Sequence, residues 1–191
     1  MIGRRAAGSR PVRRAGGKLD DRTAASDEAA HSAALWLLES RARTRLELEQ
    51  RLSRRGFAAD AIERALDRLS AVGLVDDETF ARELASSRVE QGVDAPRIVV
   101  ELKDRGIDPD LAARVAAESA PHSDRAERCR ELAEARLAKL QGLRAEVQYR
   151  RLAAYLVRRG YPGELVEPVV SELVDTNGPA ESEAEGQYGQ L

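Results

Sequence analysis

The sequence has few of the residues on which most enzyme sites depend. It holds one cysteine, Cys129, and two histidines, His31 and His122, which stand far apart. A single cysteine cannot form a disulfide within the chain and suits a reducing compartment, and neither histidine lies at a metal-ligand spacing from it. Gly16-Gly17-Lys18 lacks the upstream glycine of a phosphate-binding loop. We therefore expect a protein that is not an enzyme and uses no metal or other cofactor.

Long hydrophobic runs are also missing. The longest strictly apolar run covers residues 33–38, far short of the roughly 18 residues that a membrane span needs. The arginine-bearing N-terminus contains no apolar segment of the kind found in secretory signals. We expect no membrane contact and a cytoplasmic location.

Aromatic residues make up only 4% of the chain. Ala, Leu, Arg and Glu dominate instead, and these residues favour helices over strands. Trp36, Phe80 and Tyr155 stand beside leucines at helical spacing, so we expect them to pack in the core rather than to stack on bases. The composition predicts an all-α fold.

Charge is unevenly distributed, although the net charge is only −2. Residues 1–18 carry six basic side chains and no acidic one, whereas residues 175–191 carry four acidic side chains and no basic one. Both ends are poor in large apolar residues, which predicts a disordered basic tail over residues 1–25 and a disordered acidic tail over residues 175–191. The basic arm either touches nucleic acid or is simply solvated.

One motif recurs three times in the remaining sequence. It reads Leu or Ile, three residues, Leu, two residues, then Arg-Gly and an apolar residue, and it ends at Arg55-Gly56, Arg105-Gly106 and Arg159-Gly160. Apolar positions at helical spacing follow each copy. The pattern predicts three tandem three-helix repeats, at residues 26–73, 74–120 and 121–174, that form an elongated, curved array.

Local signals place the ends of several helices. Thr44-x-x-Glu47 has the spacing of a capping box, and Asp76-Asp77 can cap and favour the N-terminus of the helix that carries Phe80. Gly56, Gly106 and Gly160 each follow a predicted helix, where glycine adopts the left-handed conformation without strain. Pro168 falls about a turn inside its helix, so we expect a late start or a kink there.

Basic residues cluster on the predicted helices and are candidates for contact with phosphates. The arginines of the three Arg-Gly pairs are better explained by helix ends, where a cation is favourable. We expect the other candidates to face solvent; they are Arg41, Arg43, Arg45, Arg51, Arg54, Arg88, Arg97, Lys103, Arg150, Arg151 and Arg158.

The stretch Gly73-Leu74-Val75-Asp76-Asp77-Glu78-Thr79-Phe80-Ala81 resembles the hallmark segment of the RecX regulatory proteins. The motif segments on either side, which end at Gly56-Phe57 and Gly106-Ile107, are similar to the flanking segments of that family. The similarity covers residues 33–174. Residues 92–96 depart from the family pattern, because they lack a glycine just before the following helix.

The resemblance implies three tandem three-helix repeats and a monomer that binds in the groove of the RecA–DNA filament. It implies inhibition of the recombinase, ATPase and coprotease activities of RecA in homologous recombination, DNA repair and the SOS response. The expected partners are the RecA filament and single- and double-stranded DNA, and the basic candidates above would contact them.

Two other functions remain open from the sequence. The chain could be a helical DNA-binding regulator that acts without RecA, since short helices joined by glycine turns suit helix-turn-helix proteins. It could also be a helical scaffold that binds only protein. The threefold repeat and the acidic middle of the chain count against the first of these.

Overall fold

The computed structural model describes residues 19–120 and 124–176, and no β-strand occurs in these two ranges. Within them lie ten α-helices and one short 3-10 turn, Ala138–Leu140, which follows α8. The helices are α1 Asp21–Ala24, α2 Asp27–Leu38, α3 Arg45–Arg54, α4 Ala59–Ala71, α5 Asp77–Glu90, α6 Ala95–Asp104, α7 Pro109–Ser119, α8 Arg125–Leu137, α9 Ala145–Arg158 and α10 Gly163–Thr176. The all-α prediction is confirmed.

By their contacts the residues divide into two compact units. The first runs up to Leu84 and also contains Glu101–Ala113; the second contains Ala85–Val100 and the residues from Arg114 onward. The division passes through α5, α6 and α7, so the middle repeat contributes residues to both units.

In the first unit, α2, α3 and α4 enclose a core of aliphatic side chains. Leu48 and Leu52 of α3 and Leu66 and Leu69 of α4 are fully buried or nearly so. Ala30 packs with Ala61 and Ala65 where α2 lies against α4. These are the positions that the helical periodicity predicts, and burying each large aliphatic side chain stabilises the fold by roughly 1.5–3 kcal/mol.

In the second unit, α8, α9 and α10 share another aliphatic core. Cys129 and Ala133 of α8 are buried against Leu152 and Leu156 of α9. Val166 and Val170 of α10 complete the cluster. The thiol of Cys129 is completely buried in this core, where a free cysteine packs as a small apolar side chain.

The three Arg-Gly pairs end their helices in the same way. Gly56, Gly106 and Gly160 have φ values of 91°, 83° and 97°, which confirms the predicted left-handed conformation. The N–H of the next residue donates to the carbonyl five residues before it: Phe57 to Leu52, Ile107 to Leu102 and Tyr161 to Leu156. This is the Schellman arrangement, which satisfies carbonyls that the helix leaves open.

Three local expectations need revision. Residues 21–24, expected to belong to the disordered tail, form the helical turn α1, because the side chain of Asp20 caps it by accepting from the N–H of Thr23 at 2.8 Å. Helix α10 extends to Thr176, two residues into the expected acidic tail, and it begins at Gly163 with Pro168 inside it rather than starting late. The rest of both expected tails, residues 1–18 and 177–191, lies outside the described residues.

Candidate functional site

The structure corrects the expectation that Arg43 faces solvent. Its side chain is only 8% exposed. Its Nε donates to the carbonyl of Leu37 at 3.0 Å, and its Nη2 donates to Oγ of Ser40 at 3.1 Å. Burial, followed by the neighbouring charge of Arg41, lowers the pKa of Arg43 below the usual arginine value. Arg43 therefore holds the turn between α2 and α3, since the backbone there supplies acceptors for a buried guanidinium.

A cluster of guanidinium groups surrounds Glu47 in the first unit. Its carboxylate lies 3.1 Å from Nη2 of Arg41, 4.0 Å from Nη1 of Arg43 and 3.5 Å from Nη1 of Arg105. One carboxylate thus faces three cations. In the predicted capping box, the hydroxyl of Thr44 accepts from the N–H of Glu47 at 3.1 Å, while the carboxylate is engaged by these arginines.

The other predicted basic residues of the first unit differ in whether they form ion pairs. Arg45 forms an ion pair with Asp67 at 2.7 Å. Arg51 and Arg54 line an open cleft of about 240 Å³ beside Arg105, and neither pairs with a carboxylate among the described residues. Lys103 is exposed. Arg51, Arg54 and Lys103 are thus the candidates of this unit that can meet a phosphate most directly.

The candidates of the second unit lie mainly on α9. Arg150, Arg151 and Arg158 are exposed, and none is paired with a carboxylate within residues 124–176 or the described part of α5 and α6. Arg97 is exposed, but its Cβ lies against Gly160. Arg88 is half-buried and donates to the side-chain oxygen of Gln91 at 3.0 Å, so it is the least available member of the predicted set.

The backbone carbonyl of the arginine in the second and third Arg-Gly pairs accepts a hydrogen bond from the preceding repeat. In the first unit, the hydroxyl of Thr44 donates to the carbonyl of Arg105 at 2.7 Å. In the second, the N–H of Asp94 donates to the carbonyl of Arg159 at 2.8 Å. Thr44 and Asp94 occupy equivalent positions, just before the second helix of their repeats. The second and third Arg-Gly pairs therefore each contact the N-terminus of the second helix of the preceding repeat.

Asp94 is buried in this joint, and two partly exposed arginines supply its countercharges. Its carboxylate accepts from Nε of Arg125 at 2.7 Å and forms a second contact with Nη2 of the same residue. Arg128 lies 3.9 Å away. A buried carboxylate is costly unless it is paired in this way, so these residues hold the joint and are not free to bind a partner.

The Asp76-Asp77 pair has two separate structural roles. Asp76 caps α5, since its Oδ1 accepts from the N–H groups of Glu78 and Thr79 at 3.0 Å. Asp77 instead accepts from the N–H of Arg45 at 2.9 Å and so ties the start of α3 to the start of α5. Phe80 is half-buried beneath the guanidinium of Arg105, 5.7 Å from its ring centre.

The exposed ring of Trp36 corrects a second expectation. It was expected in the core, yet 49% of it is exposed. The buried residues of α2 are Ala30, Ala34 and Leu37, and Trp36 lies off that stripe. The guanidinium of Arg55 lies 4.7 Å from its ring centre. The periodicity of α2 was the signal that could have revealed this exposure, because it leaves Trp36 on the outer face.

The described residues contain neither a candidate metal site nor a candidate membrane span. No group of three or more histidine, cysteine, aspartate or glutamate residues suited to a metal ion occurs among the described residues. Within the same residues, every helix is too short or too polar to cross a bilayer.

Two family models match the sequence. The model for "RecX, first three-helix domain" matches residues 30–69, and the model for "RecX, third three-helix domain" matches residues 123–170. Two solved structures share the fold. A crystal structure of RecX from Lactobacillus salivarius has a TM-score of 0.60 at 21% identity and covers 77% of this chain and 96% of its own. Another, of a regulatory protein RecX, has a TM-score of 0.63 at 19% identity and covers 82% and 81%.

Curated relatives are much closer in sequence. The regulatory protein RecX of Amycolatopsis mediterranei is 38% identical over 71% of this chain and 78% of its own length. That of Mycobacterium leprae is 40% identical over 77% and 87%, and that of Mycobacterium tuberculosis is 38% identical over 79% and 90%. Such identity over most of both chains goes well beyond a shared fold, and the chain belongs to the RecX family of regulatory proteins.

Proposed function

We propose that this protein binds the filament that RecA forms on DNA and inhibits the recombinase, ATPase and coprotease activities of RecA. The observation that carries the proposal is the 38–40% identity to regulatory proteins RecX over most of the chain. Exposed arginines that have no carboxylate partner among the described residues support it, because a nucleoprotein filament presents phosphates along its length.

The proposed contact residues are the members of the predicted set that reach the surface and have no carboxylate partner among the described residues. In the first unit they are Arg51, Arg54 and Lys103, and in the second they are Arg97, Arg150, Arg151 and Arg158. Arg41 and Arg45 already have carboxylate partners. Arg43 is not a proposed contact residue, because it is buried and its hydrogen bonds hold the turn before α3.

A band-shift comparison tests the proposal and distinguishes it from a regulator that binds DNA without RecA. At equal concentration, the protein should retard RecA-coated single-stranded DNA well below the concentration at which it retards the same bare DNA, and it should slow the DNA-dependent ATPase of RecA. A regulator that acts on nucleic acid without RecA would bind both forms alike. An ATPase rate unchanged at every ratio would refute the proposal.

Neutralising two arginines of α9 tests the proposed contacts. The double variant Arg150→Gln, Arg151→Gln should bind the RecA filament more weakly and lower the slope of log affinity against log salt by roughly 1.5, since each lost phosphate contact lowers it by about 0.7–0.9. The matched control is Arg64→Gln, Arg68→Gln, in which the arginines pair with Asp27 and Glu28. Equal losses in both variants would show that only net charge matters.

A further inference from the structure

We propose that Trp36 and Arg55 form a stacking site for one base of single-stranded DNA, with Arg51, one helical turn before Arg55, placed to meet an adjoining phosphate. This deepens the proposed function, which involves DNA only as part of a filament. The site lies within the first unit, and its test uses DNA without RecA.

An arginine over an aromatic ring recurs at all three Arg-Gly pairs. Arg55 lies 4.7 Å from the ring centre of Trp36, Arg105 lies 5.7 Å from that of Phe80, and Arg159 lies 3.8 Å from that of Tyr155. Cations over aromatic faces are attracted by the ring quadrupole. The structure therefore repeats this pair wherever the motif occurs.

In the second and third repeats the arginine of the pair also has a hydrogen-bond or ion-pair partner. Arg105 also binds Glu101 at 3.1 Å and Glu47 at 3.5 Å, and the Nε of Arg159 donates to the carbonyl of Gln91 at 3.2 Å. Arg55 is exposed, and its one described side-chain contact is the ring of Trp36. The second and third pairs lie at joints with the preceding repeat, where Thr44 and Asp94 donate to the carbonyls of Arg105 and Arg159.

The space beside Gly56, by contrast, is occupied by the segment that precedes α2. The backbone nitrogen of Leu19 lies 3.9 Å from where a Cβ on Gly56 would stand, and the N–H of Ala58 donates to the carbonyl of Ala24 at 2.8 Å. The segment before α2 thus lies where a preceding repeat would dock. The ring of Trp36 and the guanidinium of Arg55 remain exposed to solvent.

The surroundings of Trp36 favour a ligand that is both flat and anionic. Arg51 stands one helical turn before Arg55, and neither arginine has a carboxylate partner among the described residues. Glu39 is the exposed carboxylate nearest in sequence to Trp36. A half-exposed indole thus lies beside an arginine that no carboxylate among the described residues neutralises.

Single-stranded DNA has both properties that this site can recognise. Its unpaired bases present free π faces, which stack on aromatic side chains with little regard to sequence, and its phosphates bind arginine. Bases inside a duplex are stacked on each other and cannot reach the ring without unpairing. The geometry points to single strands over duplex at this position.

The only tryptophan of the chain provides the readout. Titration of the purified full-length protein with a thymidine oligonucleotide should quench the emission of Trp36, and a duplex of equal length should quench it much less. Polyphosphate carries the charge without the bases and should leave the emission nearly unchanged. Binding of the oligonucleotide without quenching would overturn the proposal.

Variants measured by anisotropy of a labelled oligonucleotide give a second test. Trp36→Ala should lower the affinity roughly 5- to 100-fold, the range found when one stacking aromatic is removed, and Trp36→Phe should recover much of it. The matched control is Leu143→Ala, since Leu143 is also an exposed apolar residue, 37% exposed, in the second unit. Unchanged affinity in Trp36→Ala would refute the site.

The two proposals fail separately in these experiments. If Trp36→Ala binds the oligonucleotide like the parent but no longer inhibits RecA, Trp36 contacts protein and the stacking site is wrong. If the oligonucleotide quenches Trp36 while the ATPase of RecA is unaffected at every ratio, the stacking site stands and the proposed regulation of RecA fails.

Discussion

At the scale of single residues, a charged side chain can belong to the interior when the backbone supplies its acceptors. Arg43 sits in a run that alternates arginine with small residues, and nothing in that run distinguishes it from Arg41 or Arg45. Its burial depends on the chain turning back so that the carbonyl of Leu37 and the hydroxyl of Ser40 surround it. Contacts of this kind form only in the folded protein, so sequence patterns assigned all three arginines alike.

Glycines with similar backbone angles should differ in the cost of substitution. A Cβ added to Gly106 would lie 2.5 Å from Cβ of Leu46, whereas a Cβ added to Gly73, at φ 71°, would meet nothing within 4 Å. Gly73→Ala should therefore cost only the strain of positive φ, about 1 kcal/mol. Gly106→Ala should cost about 2–4 kcal/mol, because the start of α3 must also shift. Urea unfolding followed by circular dichroism checks this, and equal losses would contradict the close approach.

The neighbouring aspartates should respond to pH with opposite sign. Hydrogen bonds from the N–H and hydroxyl of Thr79 hold the pKa of Asp76 below its ordinary value of 3.8, whereas burial raises the pKa of Asp77 above it. A lowered pKa gives stability that is present above pH 3.8 and lost as the pH falls through the folded-state value. A raised pKa gives stability that declines as the pH rises from 3.8 through the folded-state value.

Isosteric variants isolate these two effects. Asp76→Asn should lose stability relative to the parent as the pH rises from acid to neutral, and Asp77→Asn should gain relative to the parent over the same rise. Melting temperatures measured between pH 3 and pH 7, about the range in which carboxylates titrate, give both differences. Curves that change in the same direction for both variants would show that the caps do not act as described.

At the scale of elements, α10 contains a defect that can be removed. Pro168 is exposed and is the sixth residue of that helix, so it has no N–H to donate to the carbonyl of Glu164. Pro168→Ala should raise stability by about 1–2 kcal/mol, because the restored bond and better helix propensity outweigh the added freedom of the unfolded chain. Glu167→Ala, at the exposed neighbouring position, is the control. A melting temperature that stays the same or falls would contradict this.

Much of each element could be predicted from the sequence because its signals are local. The stripe of Ile62, Leu66 and Leu69 in α4 and the glycine after each motif arginine determine a buried face and a helix end within a few residues. The 3-10 turn at Ala138–Leu140 and the helical turn α1 escaped prediction. Both are short, and short turns depend on which neighbours they meet more than on their own sequence.

At the scale of the whole molecule, the threefold motif identified the tandem three-helix repeats, but not how the repeats join. The sequence shows Thr44 and Asp94 at equivalent positions as two helix caps. In the structure, each also donates a hydrogen bond to the carbonyl of an Arg-Gly pair in the next repeat. The candidate site was also predicted only in part. The sequence indicated arginines at the surface, but it placed Trp36 in the interior.

The buried thiol of Cys129 makes the opening of the second unit measurable in time. The thiol is completely covered in the folded unit, and burial raises its pKa, so it stays protonated and unreactive at neutral pH. An alkylating reagent can add its mass only when α8 leaves the core it shares with α9 and α10. The rate of that mass increase in mild urea counts these openings directly. Compared with the loss of helical signal across the whole chain, it distinguishes a second unit that opens alone from one that opens only when the entire protein unfolds.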